Sequence, residues 1–123
     1  VHGTGPEGLR VDEVSPLGKT KVHSVDAAGM REFEIDPADF GLSNISASDL
    51  LGGDATTNAQ ILLSIFDSTD RGPKRQTVQL NAAAALTVAG LAPSLIEAWA
   101  LAGDSIDSGR AMNSLEQLRA CTQ

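Results

Sequence analysis

Residues 19–35 read KTKVHSVDAAGMREFEI, and this stretch decides the fold class. Phe33 and Ile35 alternate with Glu32 and Glu34, the two-residue period of a half-buried strand. The pattern predicts strands over 19–25 and 30–35, joined through Asp26-Ala27-Ala28-Gly29 as a β-hairpin with a short loop ending in glycine. Upstream, Gly3, Gly5, Pro6, Gly8, Pro16 and Gly18 make residues 1–18 read as irregular backbone. Val1 and His2 read as the stub of a lost strand, placed with the hairpin at the edge of a larger sheet.

Downstream the period becomes helical. Gly52-Gly53 lets the chain turn and Asp54 caps a helix with the stripe Ala55, Ala59, Leu62, Ile65 and Phe66, ending near Asp67. Pro73 suits a first helical turn, and Val78, Ala82, Ala85, Leu86 and Ala89 mark one face before Gly90 supplies a left-handed stop. Ser94 caps a third helix carrying Leu95, Ala98, Trp99, Ala102 and Ile106, and after Ser108-Gly109 a fourth shows Ala111, Leu115 and Leu118. The expected fold class is mixed α/β: one β-hairpin plus about four helices, each with one buried face. Alanine buries little area, so these stripes predict a thin core that a partner domain would complete.

Composition narrows the function. The 123 residues carry Lys+Arg 9 against Asp+Glu 16, a formal charge of −7, which argues against wrapping a polyanion; nucleic acid is not an expected partner. The chain is 41% hydrophobic, enough for a core, yet no apolar run approaches the roughly 20 residues of a membrane span, so no membrane is expected either. One cysteine, Cys121, permits no internal disulfide and points to the cytoplasm. No repeat or low-complexity tract interrupts the chain, which reads as one compact unit, and the front VHGTGPEG, without Met or leader, reads as truncated.

Chemistry concentrates in Asp12-Glu13. Adjacent carboxylates in a Gly/Pro-rich loop can converge on a hard cation, whereas in a regular strand they would face opposite ways. Mg²⁺ fits best, because it takes one or two protein carboxylates, keeps waters and completes its shell with substrate phosphates. The competing reading is a pair of solvated loop acids. Gly3-Thr4-Gly5 and Gly52-Gly53-Asp54 resemble pieces of phosphate loops, but Asp54 would occupy the helix donors itself, so capping is its expected role. His2 and His23 have no zinc-like spacing to other ligands, and no G-x-S-x-G occurs. Lys19, Lys21, Lys74 and Arg75 read as solvated faces, and Trp99 as a core or interdomain contact.

Taken together, VHG, GLRVDEVSPLGKTKV (8–22), IDPADFGL (35–42), LLGGDATTNAQILL (50–63), GPKRQTVQLNAAAALTVAG (72–90) and IDSGRAMNSLEQL (106–118) resemble the C-terminal part of the anthranilate phosphoribosyltransferase family. The similarity runs in order from Val1 to about Leu118. It implies that residues 1–123 are the C-terminal portion of a larger α/β phosphoribosyltransferase domain. The implied reaction moves the phosphoribosyl group of phosphoribosyl pyrophosphate to the amine of anthranilate, with Mg²⁺ and release of pyrophosphate, in tryptophan biosynthesis. In the family, the acidic pair of G-[LM]-D-E-[VI]-S binds a magnesium ion beside the pyrophosphate, which carries over to Asp12 and Glu13. This sequence departs by placing Arg10-Val11 between Gly8-Leu9 and the pair, a longer loop.

The family's GTGGD pyrophosphate loop, its basic substrate loops and its N-terminal helical domain lie upstream of this segment, and Thr4-Gly5-Pro6 does not replace that loop. The resemblance therefore implies a homodimer for the full-length enzyme, and an isolated segment that is inactive and self-associates through bare apolar faces. Two other readings stand beside it: a nucleoside phosphorylase or phosphoribosyltransferase with another acceptor, and a non-catalytic module that packs on a partner chain.

Overall fold

The computed structural model describes residues 1–122, and its contacts form two compact units, Val1–Asp49 and the remainder from Leu50 on. A single unit is the sequence expectation, since no change in composition marks the boundary. The first unit is a four-stranded antiparallel sheet and the second is helical, so the chain is mixed α/β as expected.

The strands are β1 (His2–Thr4), β2 (Arg10–Val11), β3 (Thr20–Asp26) and β4 (Gly29–Ile35), in the order β2-β1-β3-β4. The predicted hairpin is β3–β4, running from Thr20↔Ile35 to Asp26↔Gly29. Asp26 shapes its two-residue loop by accepting the Ala28 N–H at 2.8 Å, and Gly29 takes φ +123°. Two expectations are corrected. Val1-His2 is no edge stub: β1 lies inside the sheet, pairing with β2 through Gly3↔Val11 and with β3 through Gly3↔Thr20. Residues 1–18 are therefore not wholly irregular. The Gly/Pro cluster instead supplies a 3-10 turn at Pro6–Gly8, with Glu7 at φ 56° and Gly8 at φ 80°, and this reverses the chain. Strands of three and two residues are too short to carry a period. Phe33, expected inside, is 47% exposed, while Ile35 is buried.

In the second unit the helices are α1 (Ala55–Phe66), α2 (Pro73–Val88), α3 (Leu95–Asp107) and α4 (Arg110–Cys121). Their starts follow the local chemistry read from the sequence. Asp54 accepts the Thr57 N–H at 2.8 Å, Pro73 occupies the first turn of α2, and Ser94 accepts the Glu97 N–H while donating to the Glu97 carboxylate at 2.7 Å. Gly90, at φ +70°, follows α2 as expected.

The buried faces differ from the expectation. On α2 the buried residues are Arg75, Gln79, Leu80 and Ala83, not the stripe of Val78, Ala82, Ala85, Leu86 and Ala89. Tertiary packing decides this, because the face of α2 that meets α3 is the one that is buried. Gly103 abuts Gln79, which donates to the Trp99 carbonyl at 2.8 Å, and Ala83 packs with Ala92 and Ala98 against Leu86, Leu95 and Trp99. Most of the expected α2 stripe instead lines an apolar groove of about 450 Å³ within this unit. On α1 only Ile65 is buried, so Ala55 and Ala59 face outward, and α4 buries no residue. Arg75 is not on a solvated face: it is buried and meets Asp107 at 3.1 Å. No helix among the described residues is long and apolar enough to cross a membrane.

Candidate functional site

Asp12 and Glu13 lie in the loop between β2 and β3, at bends immediately after Val11. Both are exposed, and no hydrogen bond or ion pair occupies either carboxylate among the described residues. The backbone behind them is the opposite: Val14, Ser15 and Pro16 are buried. Ser15 N–H donates to the Thr20 hydroxyl at 2.8 Å. The Ser15 hydroxyl donates to the Thr4 carbonyl at 2.6 Å and accepts the Leu17 N–H at 3.1 Å. Thr4 then donates its own hydroxyl to the Lys19 carbonyl at 2.7 Å and its N–H to the same oxygen at 3.0 Å.

Two glycines let β1 approach this loop. A Cβ on Gly3 would stand 2.6 Å from the Glu13 carbonyl oxygen and 2.8 Å from the Ser15 Cβ. A Cβ on Gly18 would stand 2.9 Å from the Thr4 carbonyl oxygen. The acidic pair thus sits on irregular backbone that is fixed from both sides. Arg10 and Val11, read above as lengthening the loop, form β2 itself and pair with Thr4 and Gly3.

Two free, adjacent carboxylates are hard oxygen donors, the number Mg²⁺ takes from protein when phosphate oxygens and waters supply the rest. Among the described residues, no group of three or more His, Cys, Asp or Glu side chains could hold a metal ion. Asp12 and Glu13 could hold such an ion only with further oxygens supplied from outside the described residues.

The other candidates resolve into structural roles. The Thr4 and Gly5 amides of Gly3-Thr4-Gly5 are spent on the Lys19 and Leu9 carbonyls. At Gly52-Gly53-Asp54, Asp54 caps α1 as expected, and Asn58 folds back to bond both Gly53 N–H and C=O at 2.9 Å. The Thr57 hydrogen bonds hold the Asp54 carboxyl below its ordinary value. Lys19 pairs with Glu34 at 3.4 Å, and Lys21 and His23 both meet Glu32, at 3.1 and 2.9 Å, so these cations are engaged along the hairpin. Lys21 in particular holds the Glu32 carboxyl down. Trp99 is a core contact as expected. Sequence reasoning missed Ser15 and Thr20; the signal was a Ser two places after the pair and a Thr opening a strand, which spacing rules do not weigh.

The chain has relatives among known proteins. Residues 1–112 match the glycosyl transferase family, a/b domain. The chain is similar to anthranilate phosphoribosyltransferase of Rubrobacter xylanophilus, 45% identical over 117 residues, covering 95% of this chain and 33% of that protein. The anthranilate phosphoribosyltransferase of Methanobrevibacter smithii is 46% identical over 113 residues, 92% of this chain and 33% of its own length. That of Bradyrhizobium is 45% identical over 120 residues, 98% of this chain and 34% of its own. The chain spans about a third of the length of the curated relatives it matches. By its sequence over residues 1–112, the chain belongs to the glycosyl transferase family, in that family's a/b domain.

Proposed function

We propose that this chain serves anthranilate phosphoribosyl transfer, in which the amine of anthranilate displaces pyrophosphate from phosphoribosyl pyrophosphate. One observation carries the reading: 45% identity over 95% of the chain to an enzyme of that name. The acidic loop supports it. Asp12 and Glu13 would hold Mg²⁺, which when bound neutralises the charge of the pyrophosphate. The chain's own contribution is positional, because the buried Ser15 backbone and the close Gly3 fix the backbone that carries the two carboxylates. The homodimer, the reducing cytoplasm suggested by the lone exposed Cys121, and the place in tryptophan biosynthesis belong to the same proposal.

A second reading keeps the family and changes the acceptor, since the matched family is defined as a glycosyl transferase without naming one. Anthranilate fluorescence separates the two. The chain is mixed with the N-terminal two thirds of the Rubrobacter enzyme and assayed with Mg²⁺ and phosphoribosyl pyrophosphate. Loss of anthranilate fluorescence that requires this chain supports the proposal. No loss with anthranilate, alongside phosphorolysis of a nucleoside, would transfer support to the second reading.

A further inference from the structure

Thr20 is fully buried yet polar, and Ser15 is 1% exposed. A valine at position 20 would fill nearly the same space without needing a hydrogen-bond partner, so the hydroxyl has a specific task. That task is visible in its partner: it accepts the Ser15 N–H at 2.8 Å, from a segment with no ladder of its own. The Ser15 hydroxyl repeats the device on both sides, tying the loop to Thr4 of β1 at 2.6 Å and to its own Leu17 N–H at 3.1 Å. A regular strand would satisfy these backbone groups unaided, but it would send neighbouring side chains to opposite faces. Hydroxyl ties let the backbone be irregular and fixed at once, which is what two adjacent carboxylates need in order to serve one ion.

We propose that Ser15 and Thr20 are positioning residues for Asp12 and Glu13, their buried hydroxyls fixing the loop so that both carboxylates meet a single divalent cation. The inference rests on the metal reading of the acidic pair given above. It is tested by titrating the 123-residue chain with Mn²⁺ in the presence of inorganic pyrophosphate, bound ion being read by water-proton relaxation against a protein-free Mn²⁺–pyrophosphate blank and melting temperature recorded on the same samples. Thr20→Val is expected to weaken Mn²⁺ binding about 10-fold and Thr20→Ser to restore it to within about twofold, the size that supporting contacts to metal ligands carry. Leu80→Ala, in the helical unit, is expected to lower the melting temperature and leave Mn²⁺ affinity unchanged. If Thr20→Val does not fold, Ser15→Ala makes the same comparison, since it removes the other hydroxyl and leaves Thr20 in place.

Wild-type affinity in Thr20→Val, or no restoration in Thr20→Ser, would overturn the positioning role while the metal reading stood. Absence of binding by the wild type, or undiminished binding by Asp12→Asn with Glu13→Gln, would overturn the metal reading and the inference with it.

Discussion

The loop of residues 12–19 and the α2–α3 helix pair are both closely packed, but different atoms hold them. In the loop, hydroxyls and two glycines do so: the buried Thr20 and Ser15 and the exposed Thr4 bond backbone groups, and Gly3 and Gly18 let the chains touch. In the helix pair, backbone groups are satisfied largely within each helix, and the contact is made by Ala83 with Ala98 and by Gly103 against Gln79. The difference teaches what each region is for. Regular structure needs only a face to bury, whereas an irregular loop stays in place only if side chains take over the work of the ladder. Buried hydroxyls lie behind the two exposed carboxylates, whereas the helical unit buries Arg75 and Gln79.

The largest expected effect tests the apolar side of this contrast. Leu80 is fully buried, so Leu80→Ala is expected to destabilise by about 2–5 kcal/mol in a urea titration. A cost below that range would mean the helix pair closes over the space and is looser than its packing implies. Next come the glycines, which set the two regions against each other directly. Gly3→Ala drives a Cβ into a backbone oxygen and is expected to cost about 1–3 kcal/mol. Gly103→Ala meets the end of the Gln79 side chain, which can swing aside, so its cost is expected to be smaller in the same titration. The reverse ranking would break the comparison.

Much of the helical unit was legible because helix ends are decided locally. Asp54, Pro73, Ser94 and Gly90 act within four residues of themselves, and each lies where its chemistry predicts. The hairpin was legible for the same reason, through Asp26 and Gly29. The buried face of α2 was not, since its selection depends on the approach of α3, and an apolar count passes over Arg75 and Gln79. β1 and β2 were not, because each exists only through its partner. In the candidate site the acidic pair could be read from two adjacent letters, but its support could not: the bonds of Ser15 to Thr4 and of Thr4 to Lys19 span 11 and 15 residues with no period.

Smaller effects sharpen the electrostatic part. Asp54→Ala removes the α1 cap and is expected to lower the melting temperature by about 4 °C, read by circular dichroism at 222 nm. Asp107 accepts a hydrogen bond from the buried Arg75, with Ser68 and Arg71 adding to it, and this holds its carboxyl below the ordinary 3.8. A carboxyl lowered in the folded state contributes stability that is present above the unfolded value and lost as pH falls through the folded one. Wild-type melting temperature is therefore expected to drop as the buffer is acidified below about pH 4, and Asp107→Asn to drop less steeply over the same window. Parallel curves would remove Asp107 from the account of the helical unit.

The central claim is that the fixed loop presents Asp12 and Glu13 as the ligands of a divalent cation beside a pyrophosphate group. Calorimetric titration of the chain with Mg²⁺ and phosphoribosyl pyrophosphate, beside Asp12→Asn with Glu13→Gln, tests it most directly. The account predicts Mg²⁺-dependent heat in the wild type that disappears in the double variant, with no change in melting temperature because both side chains are exposed. Equal heat from the two proteins would contradict it.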